Sequence, residues 1–148
     1  MKKQKMPPTY FAIALALSIG LHFIFPGKIL MTAPYTYAGV VLIAAGTILN
    51  LWADSHFKKE KTTVKPGERP SSLLHTGPFG FTRNPMYLGM AIILLGTAIL
   101  LGSLSSFLFP ILFIMMMESE FIYEEEKHLE KAFGEKYREY SKRTRKWI

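Results

Sequence analysis

The chain has 148 residues, enough for one domain, with a formal net charge of +7 and 49% hydrophobic residues. Its aliphatic residues are concentrated in residues 9–25, 35–53 and 86–117, whereas most charges lie in residues 54–69 and 118–146. This segregation excludes an ordinary soluble core and indicates membrane spans, and the absence of cysteine excludes disulfides and thiolate metal sites.

The first predicted span covers residues 9–25 and follows a lysine-rich start. A secretory signal peptide has a similar layout, but no A-x-A-like cleavage site follows Phe25, and further spans come later. We therefore interpret the segment as a membrane helix. Ala12, Ala16 and Gly20 are four residues apart, which predicts a ridge of small residues that another helix approaches closely.

The second predicted span covers residues 35–53, and its small residues also predict tight packing: Gly39, Ala44, Ala45 and Gly46. Asp54 marks its exit to water. Residues 54–85 are predicted to form a loop, because four prolines prevent a long helix there: Pro66, Pro70, Pro78 and Pro85. A long non-helical segment of this kind is often functional.

Residues 86–101 and 104–117 form the third and fourth predicted spans, joined in a tight hairpin. At about 1.5 Å per residue these helices reach only about 24 and 21 Å, short of a hydrocarbon core of about 30 Å. We therefore expect the last span to continue as a C-terminal helix over residues 118–140, with a break at Gly134. An amphipathic stripe at helical spacing supports this helix: Leu129, Phe133, Tyr137 and Tyr140.

These elements together predict an all-α integral membrane protein of one domain, residues 1–148, with four transmembrane helices. Lysine and arginine are abundant in the N-terminal tail, in residues 54–85 and in the C-terminal tail, whereas residues 26–34 and 102–103 hold only one. This asymmetry predicts that both termini are cytoplasmic. We interpret the basic clusters as contacts with anionic membrane lipid and not with nucleic acid.

Two separate motifs carry a resemblance to a known family. Residues 77–89 contain Gly-Pro-Phe and then Arg-Asn-Pro-Met-Tyr-Leu-Gly, and residues 125–140 contain Glu-Glu-x-x-Leu-x-x-x-Phe-Gly-x-x-Tyr-x-x-Tyr. With Thr-Thr-Val-x-Pro at residues 62–66, this pattern resembles the isoprenylcysteine carboxyl methyltransferase family and its phospholipid methyltransferase relatives. Members are integral membrane enzymes that use S-adenosyl-L-methionine, and the resemblance implies a cofactor pocket made from this loop and this glutamate segment.

The resemblance implies specific cofactor contacts: Ser71, Ser72, Leu73, Leu74, Phe79, Asn84, Pro85, Met86, Tyr87 and Glu125. Three positions depart from the family. Asn84 stands where many members have histidine, and Gly80 stands where many have arginine or another larger residue. Phe121 stands where an arginine linked to substrate is common, so it is our candidate substrate-binding position and the methyl acceptor stays open.

The physical chemistry of the cofactor favours the same region. Aromatic side chains, Phe79 and Tyr87 among them, offer a flat apolar surface for adenine. Glu125 or Glu126 can bind the ribose hydroxyls or the ammonium group, and Arg83 can pair with the cofactor carboxylate as a fork. We assign the glutamates to binding, because a carboxylate near the sulfonium stabilises the ground state at least as much as the transition state.

Each of these residues also has a non-functional interpretation. Arg83 can anchor to lipid phosphate, Phe79 and Tyr87 can belong to an aromatic belt, and the run Glu124–Glu126 can be a solvated helix face. No metal site is expected, because the four histidines lack metal-ligand spacing: His22, His56, His75 and His128.

The first functional hypothesis is S-adenosyl-L-methionine-dependent methyl transfer to a lipophilic acceptor, with a carboxylate, a thiol or an amine headgroup as the methylated group. An NADPH-dependent membrane reductase of the steroid-reductase type is the alternative, and its 2′-phosphate would need a lysine cluster: Lys58, Lys59, Lys61 and Lys65. A non-catalytic membrane scaffold is the third possibility. The oligomeric state stays open.

Overall fold

The computed structural model describes residues 6–60 and 71–148, and within these residues it is helical, with no strand. In chain order the helices are α1 (Pro7–Ile24), α2 (Ala38–Lys59, entered through a 3-10 turn at Tyr35–Tyr37), α3 (Pro78–Phe81), α4 (Pro85–Leu101), α5 (Leu104–Met117), α6 (Tyr123–Phe133) and α7 (Glu135–Arg143). A π-type turn, Glu118–Ile122, joins α5 to α6.

Three helical segments are long and apolar enough to cross a membrane: Pro7–Ile24, Tyr35–Lys59 and Leu104–Phe133. Helix α4, the third predicted span, is apolar but has only 17 residues, or about 25 Å. It is also the most enclosed helix, since it packs against α1, α2 and α5, and Leu94 and Ala98 on it are fully buried.

The predicted loop over residues 54–85 is wrong at its start, because α2 continues through these positions to Lys59. An ion pair one helical turn apart joins Lys58 Nζ to Asp54 Oδ2 at 2.6 Å, and Phe57 packs edge-on against Phe79. The first proline after the span is Pro66, so the sequence contains nothing that would end the helix at Ala53. The short helix α3 also lies inside the predicted loop.

The C-terminal half follows the prediction more closely. Helix α5 runs through the π-type turn into α6 without a break up to Phe133. Gly134 interrupts the helix with a φ of 56°, a conformation that favours glycine. Helix α7 then extends to Arg143, three residues past the predicted end.

Close helix packing occurs between α2 and α4, and not on the predicted ridge of α1. Gly39 faces Gly96, and Gly46 faces Gly89, so the two antiparallel helices approach backbone to backbone at two levels seven residues apart. A Cβ atom at Gly46 would lie 2.6 Å from the carbonyl oxygen of Gly89. Glycine therefore sets the distance between these helices.

The ridge prediction for Ala12, Ala16 and Gly20 is wrong within the chain. Ala12 and Ala16 are exposed, and no atom of the described residues lies within 4 Å of a Cβ built at Gly20. Small residues at regular spacing on one helix do not identify which of several membrane helices pack against each other.

The two ends of the bundle differ in chemistry. At one end, His22 Nδ1 and Ser103 Oγ share a hydrogen bond of 2.9 Å, and Ser103 Oγ also lies 2.8 Å from Ser106 Oγ. These groups join α1 to the α4–α5 hairpin. The opposite end carries the start of α1, the end of α2 and helices α3, α6 and α7, and it brings residues of the two sequence motifs together in one place.

Candidate active site

A cavity of about 190 Å³ lies at this second end of the bundle. Its wall combines residues from α1, α2, α3, α4, α6 and the segment before α4: Met6, Pro7, Pro8, Phe57, Phe79, Arg83, Asn84, Pro85, Met86, Tyr87, Met90 and Glu125. Most of these side chains are apolar. Glu125 is the one acidic residue among the described residues of the wall.

Seven of the twelve predicted cofactor residues line this cavity: Phe79, Arg83, Asn84, Pro85, Met86, Tyr87 and Glu125. The two sequence motifs, which are separated by about 40 residues, therefore meet in space. The other five predicted contacts do not belong to the wall: Ser71, Ser72, Leu73, Leu74 and Glu126. Of these, Ser72 has a buried Oγ with no hydrogen-bond partner among the described residues.

Glu125 is held in the wall by Tyr87. The Tyr87 hydroxyl donates a hydrogen bond of 2.6 Å to Glu125 Oε1, and Tyr87 is 8% exposed. A short hydrogen bond to a carboxylate in an apolar site fixes the orientation of both groups. Glu124, one residue earlier on α6, is exposed instead.

Arg83 is occupied by partners within the chain. Its Nη2 donates to Glu126 Oε1 at 2.6 Å, and its Nη1 donates to the carbonyl oxygens of Ser141 at 2.8 Å and Thr144 at 3.2 Å. A fork between Arg83 and a cofactor carboxylate would have to replace these bonds. In this structure Arg83 and Glu126 tie the segment before α4 to α6 and α7 next to the cavity.

Phe79 is held by contacts from α2 and from α7. The ring of Phe57 packs edge-on against it at 5.0 Å between centroids, and the ring of His56 stacks on it at 6.1 Å. The Tyr140 hydroxyl donates a hydrogen bond of 2.6 Å to the Phe79 carbonyl. Burial raises the pKa of Tyr140, so its hydroxyl stays protonated and remains a donor.

The C-terminal tail, residues 144–148, packs next to the site, which the sequence did not predict. The carbonyl of Arg145 accepts from the Arg83 amide at 3.0 Å, and the carbonyl of Lys146 accepts from both Thr82 Oγ1 and Asn84 Nδ2, at 3.1 and 3.0 Å. The tail therefore runs alongside the segment that leads into α4.

Lys146 and Trp147 anchor this tail through Glu118, and Lys146 Nζ also lies 3.5 Å from Glu126 Oε2. Lys146 Nζ lies 2.8 Å from Glu118 Oε1, and the Trp147 indole donates to Glu118 Oε2 at 2.8 Å. The hydrogen bond to Glu118 raises the pKa of Lys146. We predicted that the basic tail contacts lipid; the structure shows in addition that Lys146 pairs with Glu118 within the chain. A tryptophan among the last residues was the available signal for a docked tail, because an indole is rarely left in water.

Five residues of the wall were not predicted as site residues: Met6, Pro7, Pro8, Phe57 and Met90. Three of them come from the start of α1, far from both motifs in the sequence. Phe57 was placed in a loop, and Met90 was one apolar residue among many in a predicted span.

Phe121, the candidate substrate position, lies in the core behind the cavity. It is 5% exposed, and its ring contacts Tyr10 at 5.6 Å and Tyr87 at 6.5 Å between centroids. It therefore supports Tyr87 from behind. Within residues 6–60 and 71–148, no three acidic or histidine side chains form a group able to hold a metal ion.

The fold and the cavity define a helical membrane protein with a polar group in an apolar pocket at the ends of its helices. The sequence profile of the phospholipid methyltransferase family matches residues 34–136, which cover the first motif and most of the second. The chain therefore belongs to the phospholipid methyltransferase family, a family of membrane methyltransferases. It is also similar to an uncharacterized protein of Haemophilus influenzae, with 38% identity over 63 residues, which are 43% of this chain and the whole of that protein.

Proposed function

We propose that this protein transfers a methyl group from S-adenosyl-L-methionine to a lipophilic acceptor whose reactive group enters the cavity from the membrane. The observation that carries the proposal is Glu125, a carboxylate oriented by Tyr87 in a wall that is otherwise mostly apolar. Such a site favours a cation that also carries apolar and aromatic surface.

The residues of the wall fit the chemistry of this cofactor. S-adenosyl-L-methionine supplies an electrophilic methyl group on a positively charged sulfur, next to an ammonium group. Glu125 offers the matching negative charge, and Phe57 and Phe79 offer aromatic faces. The cavity, about 190 Å³, is smaller than the roughly 300–1,000 Å³ of most ligand sites, so we propose that it encloses part of the cofactor.

The protein's own contribution is to bind and orient the reacting groups and to exclude water from them. Tyr87 keeps the Glu125 carboxylate in one orientation, and the apolar wall excludes water from the transfer. The Arg83–Glu126 pair holds α4 against α6, so we propose a positioning role for Arg83. For an anionic acceptor, charge is neutralised during transfer, and a dry site favours that step.

The separation of α1 and α2 supports a lipophilic acceptor. Within the described residues, helices α1 and α2 both pack against α4 but make no extensive contact with each other. The cavity wall takes Pro7 and Pro8 from α1, Phe57 from α2, and Met86 and Met90 from α4. An acceptor with an apolar tail can keep that tail in the bilayer while its reactive carboxylate, thiol or amine reaches the cavity.

The alternative functions have less support. The reductase needs a phosphate site, and of its four candidate lysines Lys61 and Lys65 lie outside the described residues, while Lys58 pairs with Asp54. A scaffold would not need a carboxylate oriented in an apolar cavity, since that arrangement costs desolvation energy without a ligand.

Titration calorimetry on the detergent-purified protein is expected to show binding of S-adenosylhomocysteine and no binding of NADPH. The first ligand retains the adenosine and the amino acid of the cofactor, whereas the second requires a cluster of free cations. Binding of NADPH alone would establish the reductase. Failure of both ligands with folded protein would favour the scaffold.

Both termini are expected on the cytoplasmic side. The start of α1 and helix α6 line one cavity, so Met6, the first described residue, and the C-terminal helices lie at the same end of the bundle. A reporter that is active only in the cytoplasm, fused in turn before Met1 and after Ile148, should be active in both fusions. Activity in only one of them would contradict the shared side.

A further inference from the structure

The turn between α5 and α6 is wider than an α-helical turn, and this changes which residues face the protein. Met117 and Ile122 are both 0% exposed and are five residues apart, the spacing of a π-type turn. After this turn the half-buried residues of α6 include Glu125, Glu126 and Leu129, while Glu124 and His128 are exposed.

An uninterrupted α-helix would place different residues in the site. Counting from Met117 in α-helical steps of four, three and four, the inward face would continue past Phe121 with Glu124 and His128 in place of Glu125 and Leu129. One extra residue in the turn rotates everything that follows by about 100°. The wide turn therefore brings Glu125, and not Glu124, to Tyr87.

The first residue of the wide turn is held by the C-terminal tail. Glu118 Oε1 accepts from Lys146 and Glu118 Oε2 accepts from Trp147, so both oxygens of this carboxylate are bound by the last three residues of the chain. The Trp147 ring also packs against the buried cluster that contains Met117 and Ile122. The same tail residues thus contact both the polar and the apolar side of the turn.

We propose that Lys146 and Trp147 are positioning residues that hold the wide turn and thereby rotate α6 so that Glu125 faces the cavity. A π-type turn is rare and less favourable than continuous α-helix, so it needs contacts that the α-helical arrangement would lose. Lys146 supplies such a contact, because its Nζ lies 2.8 Å from Glu118 Oε1 at the start of the turn and 3.5 Å from Glu126 Oε2 beyond it. Trp147 holds the other oxygen of Glu118. The structural part of this proposal is independent of the proposed function, whereas its consequence for cofactor binding rests on that function.

Thiol accessibility tests the rotation without any ligand. The chain has no cysteine, so His128→Cys and Leu129→Cys, made separately, each give a protein with a single thiol. With a water-soluble maleimide, the exposed position 128 should react faster than the half-buried position 129. In the Lys146→Met/Trp147→Phe background we expect this ratio of rates to fall by about tenfold or more, toward reversal, because a rotation of about 100° exchanges the two positions.

The variants were chosen to remove donors and leave the remaining contacts. Methionine keeps the backbone carbonyl at position 146 that Thr82 and Asn84 bind, and phenylalanine keeps an aromatic ring at position 147. Lys142→Met, an equal change of charge at an exposed position of α7, is the matched control and should leave the ratio unchanged. Lys146→Arg should preserve the parental ratio. If the double variant does not purify as folded protein, Trp147→Phe alone carries the same comparison.

A coupled binding measurement tests the functional consequence. In the parental protein, Glu125→Gln should weaken binding of S-adenosylhomocysteine and Glu124→Gln should not. In the Lys146→Met/Trp147→Phe background, the loss caused by Glu125→Gln should shrink by about tenfold, because the carboxylate has already turned away from the site. An unchanged maleimide ratio would overturn the rotation. An altered ratio with no ligand binding by the parental protein would instead reject the proposed cofactor and leave the rotation standing.

Discussion

Glu125→Gln is expected to weaken binding of S-adenosylhomocysteine by roughly ten- to a hundredfold, because a charge-assisted hydrogen bond contributes about 1.5–3 kcal/mol. Glutamine keeps the shape of the side chain and a carbonyl oxygen that can accept from Tyr87, so the change removes mainly the negative charge. Glu125 lines the cavity and bonds to Tyr87 at 2.6 Å. Titration calorimetry on the parental protein and the variant measures the difference.

Glu124→Gln is the matched control, since it makes the same chemical change one residue earlier on an exposed position. An exposed carboxylate in water contributes little to a site it does not face, so the affinity should change by less than about twofold. Equal losses at both positions would mean that the negative charge of the whole glutamate run matters, and equal small effects would remove Glu125 from the binding site.

Combining Gly46→Ala with Gly96→Ala is expected to force α2 and α4 apart and so to destabilise the protein. A Cβ at Gly46 would lie 2.6 Å from the Gly89 carbonyl oxygen, and one at Gly96 would lie 2.7 Å from the Gly39 carbonyl oxygen. Both obstacles are backbone atoms, so neither can move aside without its helix. Overpacking costs about 1–3 kcal/mol for each site, which corresponds to a fall in Tm of several degrees, about 2–4 °C per kcal/mol.

Gly20→Ala supplies the control for this experiment. Gly20 also lies in a predicted membrane span, but no atom of the described residues is within 4 Å of a Cβ at that position. Alanine has a higher helix propensity than glycine, so the variant should be neutral or slightly more stable. Thermal unfolding in detergent, followed by loss of the monodisperse peak in size-exclusion chromatography, compares the variants. Similar behaviour of all of them would contradict the close packing of α2 and α4.

The membrane class and the helical segments follow from local properties of the sequence. A bilayer requires about 20 apolar residues in one continuous helix, and this requirement can be read from hydropathy without knowledge of any contact. The break at Gly134 is local in the same way, because glycine tolerates the positive φ that ends α6. The grouping of the two motifs was also predicted, through their resemblance to the family.

The incorrect boundary between the second span and the following loop also has a local cause. Helix α2 extends to Lys59 because its polar turn is supported by the Lys58–Asp54 pair and by Phe57 against Phe79. The polar residues after Ala53 were interpreted as the end of the helix, but they mark only the end of its apolar part. A helix that leaves a membrane can continue into water while its hydrogen bonds and side-chain pairs remain satisfied.

By itself the sequence determined that this protein is helical, membrane-embedded and built around a loop and a glutamate segment, since periodicity, hydropathy and motif spacing depend on near neighbours. Only the tertiary structure decided which helices touch, which glutamate faces the cavity and where the tail lies. The α2–α4 contact depends on glycines about 50 residues apart, and the rotation of α6 coincides with a turn whose Glu118 is bound by Lys146 and Trp147. Such pairings have no local signature, because each partner alone is compatible with several helix arrangements, and the choice is made by packing the whole chain at once.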